Sequence, residues 1–89
     1  MKEIIINGKD IFGIADIHEL LAEELGFPAY YGKNLDALYD CLTELAEEVH
    51  IGVTNADVLH ERLGIAYEKL CRVIGDAAEE SGRIEFSEI

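Results

Sequence analysis

The strongest constraint in this chain is the order of its apolar patterns. Three short stretches rich in β-branched or aromatic residues lie far apart, and each gap between them holds two helical patterns. The first stretch, Glu3 to Ile6, carries the unbroken apolar run Ile4-Ile5-Ile6 and is ended by the turn pair Asn7-Gly8. The second, Val49 to Thr54, alternates through Val49, Ile51 and Val53. The third, about Arg83 to Ser87, carries Ile84 and Phe86. Strands separated by helices cannot form tight hairpins. They run parallel and are joined by crossovers, which are right-handed as a rule. The order β-α-α-β-α-α-β therefore predicts an α/β fold, a small three-stranded parallel sheet packed by helices. Residues 1–89 make one domain, because a chain this short can enclose only one core. The unbroken first run suits a strand covered on both faces or at the centre of the sheet.

The helices have readable punctuation. Lys9 to Ala15 connects. Asp16 with Glu19 three residues on resembles a capping box, with Asp replacing Ser or Thr. The helix that follows buries Ile17, Leu20, Leu21 and Leu25, and Gly26 stops it shortly before Pro28. Asn34 is a suitable N-cap for a second helix over about Leu35 to Glu47. Thr54 or Asn55 can cap a third, about Ala56 to Leu63, ended by Gly64. A fourth, about Ile65 to Ser81, sets Ala66, Tyr67, Leu70, Cys71, Ile74, Ala77 and Ala78 on one side despite the unfavourable Gly75, and Gly82 ends it.

The second helix has two distinct faces. At roughly 100° per residue, Leu35, Leu38, Leu42 and Leu45 share one side with Cys41. Asp36, Tyr39, Asp40, Thr43 and Glu47 share another. Asp36 lies in the first turn, where the positive end of the helix dipole favours a carboxylate. Asp40 has no such support. It stands four residues after Asp36, a like-charge spacing that costs the helix a few tenths of a kcal/mol, and Asp is a poor interior helix former. A solvated acidic face would explain this, and so would a face meant for a partner. The preceding loop favours the partner. Tyr30-Tyr31-Gly32 runs directly into the helix, and neighbouring tyrosines rarely point the same way. One is expected to pack inward and the other to be displayed. A displayed tyrosine beside paired carboxylates has the makeup of a protein-binding hot spot.

Other chemistry has thinner support. Two carboxylates four apart on an exposed helix form no evident glycosidase pair, since no apolar pocket is at hand to raise one of them. His18, His50 and His60 lie on three different elements without ligand spacing, so no metal is expected, and His18 reads as a residue at the edge of the core. Cys41 and Cys71 fall among apolar residues and read as buried, reduced thiols without a CxxC partner. No phosphate-binding glycine loop or nucleophile elbow occurs, and no cofactor is expected. The reading is that of a non-enzymatic protein.

Charge narrows the partners. Nineteen acidic residues face seven basic ones, a net of −12. Asp36, Asp40, Glu44, Glu47 and Glu48 fall between Asn34 and Val49 with no base among them. Nucleic acid and anionic membrane surfaces are disfavoured, and a strongly basic protein is favoured. No apolar run approaches a membrane span, and the first residues do not resemble a secretory signal, so a cytoplasmic location is expected.

The run Tyr30-Tyr31-Gly32-Lys33-Asn34-Leu35-Asp36-Ala37-Leu38-Tyr39-Asp40 resembles the signature of the barstar family, intracellular inhibitors of barnase-type secreted ribonucleases. Ile4-Ile5-Ile6-Asn7-Gly8, Asp16-Ile17-His18-Glu19-Leu20-Leu21 and Glu24-Leu25 fall in register with the same family, so the resemblance runs end to end. It implies that the second helix and its leading loop plug a nuclease active site. Asp36 and Asp40 would stand where RNA phosphates bind. Tyr30 would be the displayed ring, Gly32 and Asn34 would shape the loop, and Tyr39 and Thr43 would complete the contact, with Tyr31 beside them. The implied partner is a small basic secreted ribonuclease or a related toxin, met by a chain that is monomeric when free. An acidic interaction domain of the same fold, or an antitoxin against another basic partner, is the other reading. The chain departs from the family in four places. Tyr39 stands where Trp is frequent, Lys33 where an acid is common, and Glu44-Leu45 where Gly-Trp follows the threonine. Ala77 replaces an acidic fourth-helix contact, with Asp76 and Glu80 nearby.

Overall fold

The computed structural model describes all 89 residues. The elements are β1 (Lys2–Asn7), α1 (Ile14–Leu25), α2 (Leu35–Thr43), β2 (Val49–Thr54), α3 (Ala56–Leu63), α4 (Ile65–Ser81) and β3 (Ile84–Glu88), with a short 3-10 turn at Gly8–Asp10. The strands lie side by side in chain order, β1-β2-β3, and both pairings are parallel. Ile4 pairs with Ile51, and Ile51 with Phe86. The α/β arrangement is the one read from the apolar pattern.

Only one face of the sheet belongs to the core. Ile4, Ile6, Val49, Ile51, Val53 and Ile84 are buried on it. Glu3 and Ile5 point the other way, and Ile5 is 48% exposed. The expectation that β1 is central or covered on both faces is therefore wrong: β1 is an edge strand. The reason is topological. Two right-handed crossovers that step in the same direction leave their helices on the same side of a sheet. The open side keeps a small apolar patch where Ile5 and Ile89 close over Gly52, whose missing Cβ would lie 2.8 Å from Ile89 Cδ1. Beside it His50, on β2, bridges the strands, with Nδ1 3.2 Å from Glu3 Oε1 on β1 and Nε2 2.9 Å from Ser87 Oγ on β3.

The core is closed by α1, α2, α3 and α4 through Ile17, Leu21, Leu38, Leu42, Leu59, Tyr67, Leu70, Ile74 and Ala77. Tyr67 is fully buried and satisfies its hydroxyl by donating to Glu88 Oε2 at 2.7 Å. Leu20 and Leu25 are only half-buried, as are Cys41, Cys71 and Ala78, and Ala66 is exposed. Both cysteines are free thiols.

Two helix boundaries differ from expectation. α1 begins at Ile14, with Gly13 as its N-cap. Asp16 sits inside the first turn, and its Oδ2 accepts from the N–H groups of Phe12 (2.9 Å) and Gly13 (3.2 Å). Asp16 is thus the acid that reaches back, and Glu19 is free for another partner. α2 ends at Thr43 instead of Glu47. Thr43 Oγ1 donates to the carbonyls of Tyr39 (2.9 Å) and Asp40 (3.1 Å), a side-chain bond that competes with helix continuation. The chain then reaches the sheet at Glu48, whose carbonyl accepts from Lys2 N. Glu47 consequently leaves the face assigned to it. The bounds of α3 and α4 match expectation, since Gly64 and Gly82 adopt the positive φ values of 52° and 69° that glycine tolerates.

Candidate functional site

The loop from Pro28 to Asn34 is shaped by its own side chains and by α1. Tyr31 N donates to Pro28 O at 2.9 Å, closing a tight turn. Lys33 takes a left-handed conformation, φ 51°, uncommon for a non-glycine residue. Asn34 then opens α2 as predicted, with Oδ1 accepting from Ala37 N at 2.8 Å and Nδ2 reaching back toward Gly32 O at 3.4 Å. A Cβ on Gly32 would lie 2.8 Å from Asn34 Nδ2, so a larger residue there would push the Asn34 amide off Gly32 O.

The two tyrosines part company. Tyr30 is 88% exposed. Tyr31 turns inward between Phe27, 5.0 Å between ring centroids, and His18 on α1, 5.8 Å. Its hydroxyl lies 2.6 Å from His18 Nδ1. Burial, with Cys41 as a lesser cause, pushes the Tyr31 phenol up to about 12. His18 is 2% exposed, and burial followed by the nearby Lys33 charge lowers its pKa. The hydrogen bond pins the loop to α1 and leaves Tyr30 as the projecting ring.

Asp36 and Asp40 are both exposed, and neither carboxylate has an ion pair or a side-chain hydrogen bond. Asp40 borders a cleft of about 220 Å³ whose other walls include Tyr30, Tyr31, Gly32 and Glu44. Asp36 lies outside that cleft. Tyr39 and Thr43, placed on the displayed face by spacing alone, are half-buried: Tyr39 packs against the core and Thr43 bonds its own helix. Cys41 also lines the cleft, half-buried instead of buried, and its thiol is pushed up by burial and then by Glu44 and Asp40. That direction disfavours the reactive thiolate.

Lys33, the base that departs from the family pattern, lies 2.9 Å from Glu19 Oε1. An acid fourteen residues back offsets its charge. Local spacing offered no sign of this pair, nor of the His18–Tyr31 bond, because both join residues of different elements. Ser87, His50 and Glu3 line up as hydroxyl, imidazole and carboxylate across the open sheet face, again with no sequence signal. They border no cavity, and the strand amides around them are committed to the ladder. No three His, Cys, Asp or Glu side chains converge to hold a metal ion. On α4, Ala77 is fully buried, while Asp76 and Glu80 are exposed. No helix is long and apolar enough to cross a membrane.

Comparison with known proteins finds relatives over nearly the whole chain. A family model described as barstar (barnase inhibitor) matches residues 1–87. A protein of Bacillus subtilis (strain 168) named "Putative ribonuclease inhibitor YrdF" is 40% identical over 81 residues, covering 90% of this chain and 89% of the relative.

Proposed function

The chain belongs to the barstar family, and from that membership we propose that it is a protein inhibitor of a small basic ribonuclease of the barnase type. The loop Pro28 to Asn34 and the exposed face of α2 enter the nuclease active site. Asp36 and Asp40 take the places of RNA phosphates and accept charge-assisted hydrogen bonds from Arg, Lys and His side chains. Tyr30 covers the catalytic region by stacking. Gly32 and Asn34 set the loop, Tyr31 holds it from beneath, and Tyr39 and Thr43 support the helix edge. A net charge of −12 steers the chain to a basic enzyme, so the association rate falls as salt rises. Asp76 or Glu80 supplies the fourth-helix contact that buried Ala77 does not.

The observation that carries this reading is a pair of exposed, unpaired carboxylates on one helix beside a tyrosine that is 88% exposed. The test is inhibition of a barnase-type ribonuclease, with Asp40→Ala as the control and circular dichroism to show that the variant folds. Tight inhibition by the intact chain that is lost in Asp40→Ala supports the proposal. Failure of the intact chain to inhibit any small basic ribonuclease would falsify it.

A further inference from the structure

A second cavity lies away from the carboxylates, where three helices begin. Ile14, Leu35 and Ile65 are the first residues of α1, α2 and α4, and all three line it. Its volume is about 450 Å³, within the range of small-molecule sites. The remaining walls include Lys33, Lys69 and His18, and no acid lines it in a chain with nineteen of them. We propose that this cavity binds a small monoanionic organic molecule, a carboxylate on a short apolar body.

The charge pattern comes first. The first amide groups of a helix lack intrahelical acceptors and carry partial positive charge. α2 has a side-chain cap from Asn34, whereas α4 has none at Gly64. Lys69 has no ion pair, and Lys33 already shares its charge with Glu19. The site therefore offers about one uncompensated side-chain charge plus helix amides. That suits a monoanion better than a dianion, which the chain's net −12 would also repel more strongly.

His18 is the independent observation. Every fully buried side-chain nitrogen or oxygen has a hydrogen-bond partner. His18 Nδ1 is taken by Tyr31, and Nε2 has no partner although the residue is 98% buried. Nε2 must therefore open onto solvent, and this is the only cavity that His18 lines. In the tautomer in which the Tyr31 hydroxyl donates to Nδ1, the ring proton lies on Nε2. In that tautomer Nε2 is an imidazole N–H that faces the cavity with no acceptor from the protein itself. The apolar walls from Ile14, Leu35 and Ile65, the last 66% exposed, suit a hydrocarbon body. The site uses neither Asp36, Asp40 nor Tyr30, so it stands apart from nuclease inhibition.

The experiment titrates the full chain with hexanoate, and in parallel with 1-hexanol, while amide resonances and the His18 ring nitrogens are followed by NMR. Saturable shifts are expected at the amides of residues 14, 34, 35, 65, 66 and 69 and at His18 Nε2. Hexanol should bind at least about tenfold more weakly, a loss of roughly 1.4 kcal/mol. Lys69→Gln removes an exposed, unpaired charge without touching the core and should weaken hexanoate several-fold, whereas Asp40→Ala should leave it unchanged. Absence of saturable shifts, equal affinity for hexanol, or an unchanged Lys69→Gln variant would each overturn the proposal.

Discussion

The bond between His18 and Tyr31 makes a prediction about acid. His18 is buried, and its pKa lies below the ordinary 6.5 because burial, and then Lys33, disfavour the imidazolium. In the unfolded chain the ring titrates normally. Between the two values the unfolded state holds more protons than the folded one, so stability increases with pH there. The contribution is fully present above pH 6.5 and is lost as pH falls toward the folded value, below which it levels off. One proton sets the steepest slope at about 1.4 kcal/mol per pH unit. In the imidazolium both ring nitrogens are donors, so the 2.6 Å bond would then have to run from Nδ1 to the Tyr31 oxygen. The assay is urea unfolding of wild type and His18→Asn across about pH 5 to 8. Asn cannot titrate but can still offer a polar atom to Tyr31. Its overall stability should be lower by roughly 1–3 kcal/mol, because a well-packed buried partner is lost. The informative quantity is the difference between the two curves, in which every other titrating group cancels. That difference should shrink as pH falls below 6.5 and stay constant above it. A difference independent of pH would refute the assignment of the acid response to His18.

Three substitutions test the frame around the site. Asn34→Ala removes the cap on Ala37 N and should cost about 0.5–2 kcal/mol in urea unfolding, with faster amide exchange in the first turn of α2. Leu42→Ala empties a fully buried position of α2 and should cost about 2–5 kcal/mol by the same assay. Gly8→Ala drives a Cβ into the Asn55 carbonyl oxygen, which is backbone and cannot swing aside, so a loss of at least about 1–3 kcal/mol is expected; a neutral result would show that the backbone there yields to a methyl group.

The apolar periods and the glycines carried most of the fold. Val49, Ile51 and Val53 marked β2, and Gly64 and Gly82 marked where α3 and α4 end. Features set by residues far apart in the chain were not legible. The one-sided burial of β1 follows from the direction of two crossovers, and an unbroken Ile4-Ile5-Ile6 run does not encode it. The end of α2 was misplaced because Thr43 could equally have continued the face, and only its bonds to Tyr39 and Asp40 show otherwise. Spacing identified Asp36 and Asp40 as displayed but could not separate them from Tyr39, which shares their sector and yet packs inward. Sorting Tyr30 from Tyr31 required knowing that His18 waits beneath the loop. Lys33 looked out of place until Glu19 was seen beside it.

Asp40 joins the local and the global arguments. α2 has only nine residues, a length at which an isolated helix is marginal, so it rests on Leu38 and Leu42 packed toward α4. Asp36 and Asp40 repel each other across one turn of that short helix; neither has an ion pair, and only Asp36 is placed to gain from the helix N-terminus. Neutralising Asp40 should therefore stabilise the free protein by a few tenths of a kcal/mol. If the same carboxylate meets a desolvated cationic cluster on a nuclease, its neutralisation should cost about 2–5 kcal/mol in binding, the general penalty for stripping one partner from a buried charge pair. Asp40→Asn keeps the side chain's shape, so the two effects can be read on one variant by urea midpoint and by inhibition constant. Opposite signs are the outcome expected of a residue kept at the helix's expense for a partner. A variant that loses stability while inhibiting as well as wild type would make Asp40 a structural residue. The unpaired carboxylates would then be a solvated face, and the binding surface would have to be sought elsewhere on the molecule.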